Sequence, residues 1–299
     1  MLSAYLRGQA TEFLRALRAA ASGGDADSAP ALRRASRRIG ATLHTFHSAL
    51  DPAWSAALRR ELAWFSGVLA QERLHAATLR RLQAALHEPQ GDLGAAKAAA
   101  LLERRLTLAR GRAHSAVLEA LGSARFHALA DAVALLAGEV PLRGGGRDAG
   151  PAGAVLRGHA DTAERRLAEA VAALPHDLLD GDGDLGGPCP GYPGDRPGDG
   201  DTAWHQVRSL LRLHRYALEV LTEPVPRRLV GAARALDRHR DAAEAASVAA
   251  AAARTPRIAP ATAYALGNLH AHQRHEVLAA RRAFHRTWQS ASRDTVTVR

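Results

Sequence analysis

Lysine is almost missing from this sequence. Lys97 is the only one among 40 basic residues, which leaves 39 arginines. A GC-rich coding sequence favours that bias, but it has a physical consequence too: a guanidinium is a planar fork that grips phosphate oxygens with two hydrogen bonds, where an ammonium is a point charge. Cysteine is as scarce. The lone Cys189 excludes an intramolecular disulfide framework and fits a reducing compartment. Aromatic residues make up 4% of the chain, few for a surface that holds single-stranded nucleic acid by stacking. No apolar run reaches the ~18 residues of a membrane span. The opening "MLSAYLRGQATEFLRAL" is broken by Arg7, Glu12, Arg15 and Arg18, so no signal-peptide core is expected. These absences predict a cytoplasmic protein that does not enter a membrane.

What is present is helical. Ala, Leu and Arg dominate and all favour helix, while period-two runs of Val, Ile, Thr and aromatics are nearly absent. From Trp54 to Leu86, the residues Leu58, Leu62, Phe65, Leu69, Ala76, Leu79 and Leu82 recur mostly in steps of three, four and seven. Pro and Gly interrupt at 22–30, 50–52, 87–94, 121–123 and 140–153. The pattern predicts an all-α chain with about six helices before residue 140 and four after 153. The Ala-rich stretch 242–254 reads as a packed helix. Between Leu174 and Ala203 the composition turns to Gly, Pro and Asp, a flexible insertion by its lack of apolar periodicity. Its "DGDGDL" (180–185) resembles a calcium loop only in part: Leu185 stands where the loop glycine belongs and Gly191 where the bidentate Glu belongs.

The charge is strongly positive, +10 at pH 7. In "WHQVRSLLRLHRYALEVL" (204–221), His205, Arg208, Arg212 and Arg215 fall in steps of three, four and three along one helical face. Shifting the chain by 175 places Arg33 on Arg208, Arg37 on Arg212 and Leu43 on Leu218. Pro52 and Pro224 then follow each helix, and a second long helix carries Arg73 in one half and Arg240 in the other. Two copies of one helical unit are expected, with a basic groove between or along them. The expected boundaries are 1–140 for the first repeat and 153–174 for the opening helix of the second. The insertion at 175–203, the remainder of the second repeat at 204–290 and a tail at 291–299 follow.

At these residues the sequence resembles the CHAD domain, the conserved-histidine α-helical domain. The helix that begins His205 and continues through Arg208, Arg212, Arg215, Tyr216 and Glu219 is similar to the family's second-half helix, and Arg240–Asp241 to its next. The closing stretch 264–288 and the opening pair "RRIGATLHTFHSALDP" and "RELAWFSGVLAQER" are similar too, so the resemblance covers about residues 2–290. It implies two helical-bundle repeats that bind inorganic polyphosphate without catalysis. The site residues it implies are Arg33, Arg37, Arg73, His205, Arg208, Arg212, Arg215 and Arg240. The sequence departs from the pattern at Pro30, where a first-repeat histidine is expected, at Leu74 in place of Asp, and at Gly40, Ser209 and Leu213 in basic positions.

The same cationic surface leaves nucleic acid open as an alternative partner, and a scaffold that has lost polyanion binding as another. No P-loop, G-x-S-x-G, H-E-x-x-H or zinc-finger spacing occurs, so neither catalysis nor a metal or other cofactor is expected. His44/His47 and His270/His272/His275 read as solvated histidines. Tyr216, Trp54, Trp64 and Phe65 read as core, and Glu219 and Asp241 as acids that orient arginines. The implied ligand would place the protein in the cytoplasm, at polyphosphate granules.

Overall fold

Proline and capping side chains set where α-helices begin at Pro52, Ala124, Arg227 and Pro260. The structure, a computed structural model, describes residues 1–22, 27–86, 93–143, 152–175 and 199–294; the calcium-like stretch at 180–185 and Cys189 lie outside them. Among the described residues there are nine α-helices. They are α1 (Leu2–Ala21), α2 (Ser28–Thr45), α3 (Pro52–Leu86), α4 (Leu93–Leu121), α5 (Ala124–Gly138), α6 (Ala152–Ala172), α7 (Asp199–Val220), α8 (Arg227–Ala253) and α9 (Pro260–Asp294). The chain is all-α. Before residue 140 there are five α-helices rather than six, with one extra turn of 3-10 helix at His47–Ala49. α7 takes in residues 199–203, which composition alone assigns to the insertion.

Pro30 lies inside α2 rather than before it, because the first turn of a helix has no intrahelical partner for its N–H to lose. Asp51 caps α3 by accepting from the Trp54 amide at 2.7 Å, and Ser123 caps α5 by accepting from Phe126 at 3.1 Å. Between the helices the only sheet-like pairing among the described residues is a single antiparallel bridge, Leu50 to Leu142.

The chain forms two compact units. The first comprises Met1–Ala76, Thr107–Arg165 and Arg212–Pro224; the second comprises Ala77–Leu106, Arg166–Leu211 and Val225–Arg299. The predicted stripe on α3 is buried in the first unit from Leu58 to Leu69, and Phe65 packs at 6.1 Å from Phe13 and 4.8 Å from Phe126. Trp54 and Trp64 pack against the same core from its edge. In the second unit Leu82 joins Leu102, Leu106 and the alanines of α8. Ala242, Ala245, Ala246, Ala249 and Ala252 are all buried, so the alanine run is a close-packed helix face. Gly94 shows how tightly α4 meets α9: a Cβ there would stand 2.5 Å from the Ala261 carbonyl oxygen.

Candidate functional site

The stripe on α7 divides between the units, His205 and Arg208 in the second and Arg212 and Arg215 in the first. In the second unit α7 lies against α8. His205 is exposed, with its ring 6.1 Å from that of His239 in an edge-on arrangement. Arg208 donates from Nε at 2.8 Å and from Nη2 at 2.6 Å to one oxygen of Asp237. Arg240 donates from Nε to Asp241 at 2.9 Å. Two predicted residues, His205 and Arg208, therefore lie along one α7–α8 contact, and Arg240 stands on α8 paired within its own helix. Two of their cations are held by acids on α8.

Behind them is a charged cluster that the helical pattern does not announce. Asp201 accepts from Arg281 Nη2 at 2.6 Å and from Arg274 Nη1 at 3.2 Å. His239 Nε2 stands 3.2 Å from the same carboxylate and 3.2 Å from Arg281 Nε. That nitrogen donates to Asp201 in one tautomer or accepts from Arg281 in the other, never both. His239 is 1% exposed and stacks on Trp204 at 5.3 Å. Burial, the largest influence, lowers its pKa, and the charges of Arg281 and His205 add to that against the hydrogen bond to Asp201 and the charge of that carboxylate. Burial pushes the Asp201 carboxyl up, but the hydrogen bond with His239 and the charges of His239, Arg274 and Arg281 outweigh it and hold the group far below the usual range.

Most histidines named from sequence behave as surface groups: His47, His272 and His275 are exposed. His214, His239 and His285 are not, each less than 10% exposed. Their burial was legible in part, since His239 falls in phase with Ala232, Ala235, Leu236 and Ala242. Arg274 and Arg281, seven apart on one face of α9, carried a similar signal. Asp201, within a Gly/Asp-rich run, carried none.

In the first unit the other five predicted residues come from three helices: Arg33 and Arg37 on α2, Arg73 on α3, Arg212 and Arg215 at the end of α7. α2 and α7 meet through Arg38, which donates to Glu219 from Nε at 2.8 Å and Nη2 at 3.3 Å and lies 5.3 Å over the Tyr216 ring. Tyr5 donates its hydroxyl to Glu219 at 2.9 Å. Burial, with the Glu219 charge and hydrogen bond, pushes the Tyr5 pKa up; the hydrogen bond that Arg38 itself makes to Glu219, the largest influence on it, raises the Arg38 pKa against its burial. Glu219 does orient an arginine, as expected, but it is Arg38 rather than a member of the stripe. Tyr216 is core. Arg215 Nε is buried with no hydrogen-bond partner among the described residues.

The CHAD domain sequence pattern matches residues 4–230. The chain belongs to the CHAD domain family. The match stops short of the expected extent and leaves most of α8 and all of α9, with Arg240, outside it. Solved structures extend the likeness. PptA from Streptomyces chartreusis is 57% identical with a TM-score of 0.85, over 96% of this chain and 98% of that one. The CHAD domain from the plant Ricinus communis is 20% identical with a TM-score of 0.59, over 95% and 90%, and so shares the fold of this CHAD domain. A search of curated proteins returned no match.

Proposed function

We propose that this CHAD domain binds inorganic polyphosphate without catalysis, through the arginines of α2, α3 and α7 and the His205–Arg208–Arg240 group. The observation that supports it best is Arg215: a buried guanidinium Nε–H without a partner among the described residues costs roughly 1–3 kcal/mol. On this reading a phosphate oxygen supplies the acceptor. The nearby acid Glu219 is already taken by Arg38 and Tyr5. Asp237, Asp241 and Asp201 are likewise engaged by arginines, which argues against a carboxylate pair reserved for Mg²⁺. Arg33 and Arg37, one turn apart on α2, span ~6 Å along the helix and suit successive phosphates of a chain. The family resemblance implies the same ligand.

The test is a titration with long-chain polyphosphate at two salt concentrations, with single-stranded DNA and RNA of equal charge as competitors. The proposal expects binding that nucleic acid displaces poorly. Arg208→Ala and Arg212→Ala should each weaken it about tenfold, the loss of one charge-assisted hydrogen bond of ~1.4 kcal/mol. Unchanged affinity in both variants would count against it, and displacement by nucleic acid at matched charge would make the surface a generic cationic one.

A further inference from the structure

Along α2 the basic row stops. Arg33 and Arg37 are followed in phase by Gly40, which has no side chain, and at that point a cavity of about 330 Å³ opens between α2 and α3. At a liquid share of ~30 Å³ per water, this is room for about ten waters, more than one phosphate displaces. Small residues make the space: a Cβ added at Gly40 would only touch Leu62 Cβ at 3.9 Å. Arg37 reaches the cavity from α2, and Arg59 and Arg60 from α3. No acid lines it, and among the described residues neither Arg59 nor Arg60 makes an ion pair. Ser66 also lines the cavity.

We infer that this cavity is a subsite at the end of the α2 arginine row that takes the terminal di- or triphosphate group of a phosphate chain. The inference rests on the polyphosphate reading and adds to it a recognition of chain ends. A mid-chain phosphate offers two non-bridging oxygens and one charge. A terminal one offers three oxygens, and its second ionisation, near pH 6, gives it up to one charge more. Three guanidinium forks from two helices around one concave floor suit the second geometry. A chain lying along Arg33 and Arg37 would run into the cavity at its end. A free triphosphate, inorganic or carried by a nucleoside, presents the same chemistry.

The experiment compares linear tripolyphosphate, cyclic trimetaphosphate (which has no chain ends), ATP and long-chain polyphosphate on the full chain. Three proteins are used: the native sequence, an Arg59→Ala/Arg60→Ala double variant and Gly40→Leu. The last fills the cavity and keeps every arginine, and melting curves show that each variant is folded. Tripolyphosphate should bind the native protein at least tenfold tighter than the ring, and both variants should lose at least tenfold of that affinity. Long-chain polyphosphate, held also by the arginine rows, should lose less. Equal binding of ring and linear forms, or full tripolyphosphate affinity in both variants, would overturn the inference. If long chains still bind with Arg208 and Arg212 dependence in that case, only the end site fails. If the native protein binds no phosphate chain of any length, the parent reading fails with it. ATP binding that both variants lose, and that long chains do not displace, supports the site and identifies its source as a free nucleotide; displacement by long chains identifies a chain end.

Discussion

At the scale of single residues the competition is between internal acids and an external anion. Arg208 is held by Asp237, and that acid is 55% exposed on its side-chain surface while the arginine is 17% exposed. On the proposed function a polyanion must displace it. Asp237→Asn removes the competing charge at small cost to the fold, since exposed ion pairs contribute only ~0.2–1 kcal/mol. Polyphosphate affinity should rise about two- to fivefold in a direct titration, and a fall would mean that Asp237 holds Arg208 in its binding position. A second consequence concerns pH. His239 has its pKa lowered by burial first, so between its unfolded value near 6.5 and the lower folded value the unfolded chain binds more protons. Stability therefore falls as pH drops through that window. The facing groups are Asp201 and His205 on α7 and Arg274 and Arg281 on α9. Asp201, also lowered, adds its own loss only at more acidic pH. His239→Gln should flatten the fall between about pH 7 and 5 in urea melts; an unchanged slope would place the titrating group elsewhere.

At the scale of helices the second unit depends on close approach. Alanine on α8 lets α9 pack near it, and Gly94 does the same at the start of α4. Because the Ala261 carbonyl is backbone and cannot swing aside, Gly94→Ala should cost about 1–3 kcal/mol by overpacking, despite alanine's better helix propensity. Gly40→Ala is the internal control: its Cβ meets Leu62 at an ordinary contact distance, and helix propensity should stabilise it by about 0.5–1 kcal/mol. Thermal melts of the pair should move in opposite directions. A lack of any Gly94→Ala effect would mean that α4 shifts without loss.

For the whole molecule, the excess of arginine produces a charge of +10 that any compact arrangement must hold against its own repulsion. On the proposed function, polyphosphate would relieve that repulsion; a ligand held by the folded form and not by the unfolded chain adds about 2.7 kcal/mol of stability at a hundredfold excess over Kd, read as a higher melting temperature. The rise should shrink steeply with added salt as counterion release loses its driving force. A salt-insensitive rise would point to a contact that is not electrostatic. Local patterning was enough for the all-α class, the apolar stripes and the phase of the arginines, because periodicity is carried by neighbours three and four residues apart, but it counted one helix too many before residue 140 and began α7 too late. It also carried the family, through the motif on α7. Only the tertiary structure decided which acid takes which arginine. Glu219 lies 181 residues from Arg38 and Asp201 80 from Arg281, and no spacing in the chain encodes such a meeting. The cavity at Gly40 is of the same kind: a missing side chain becomes a site only when a second helix brings Arg59 and Arg60 to its rim.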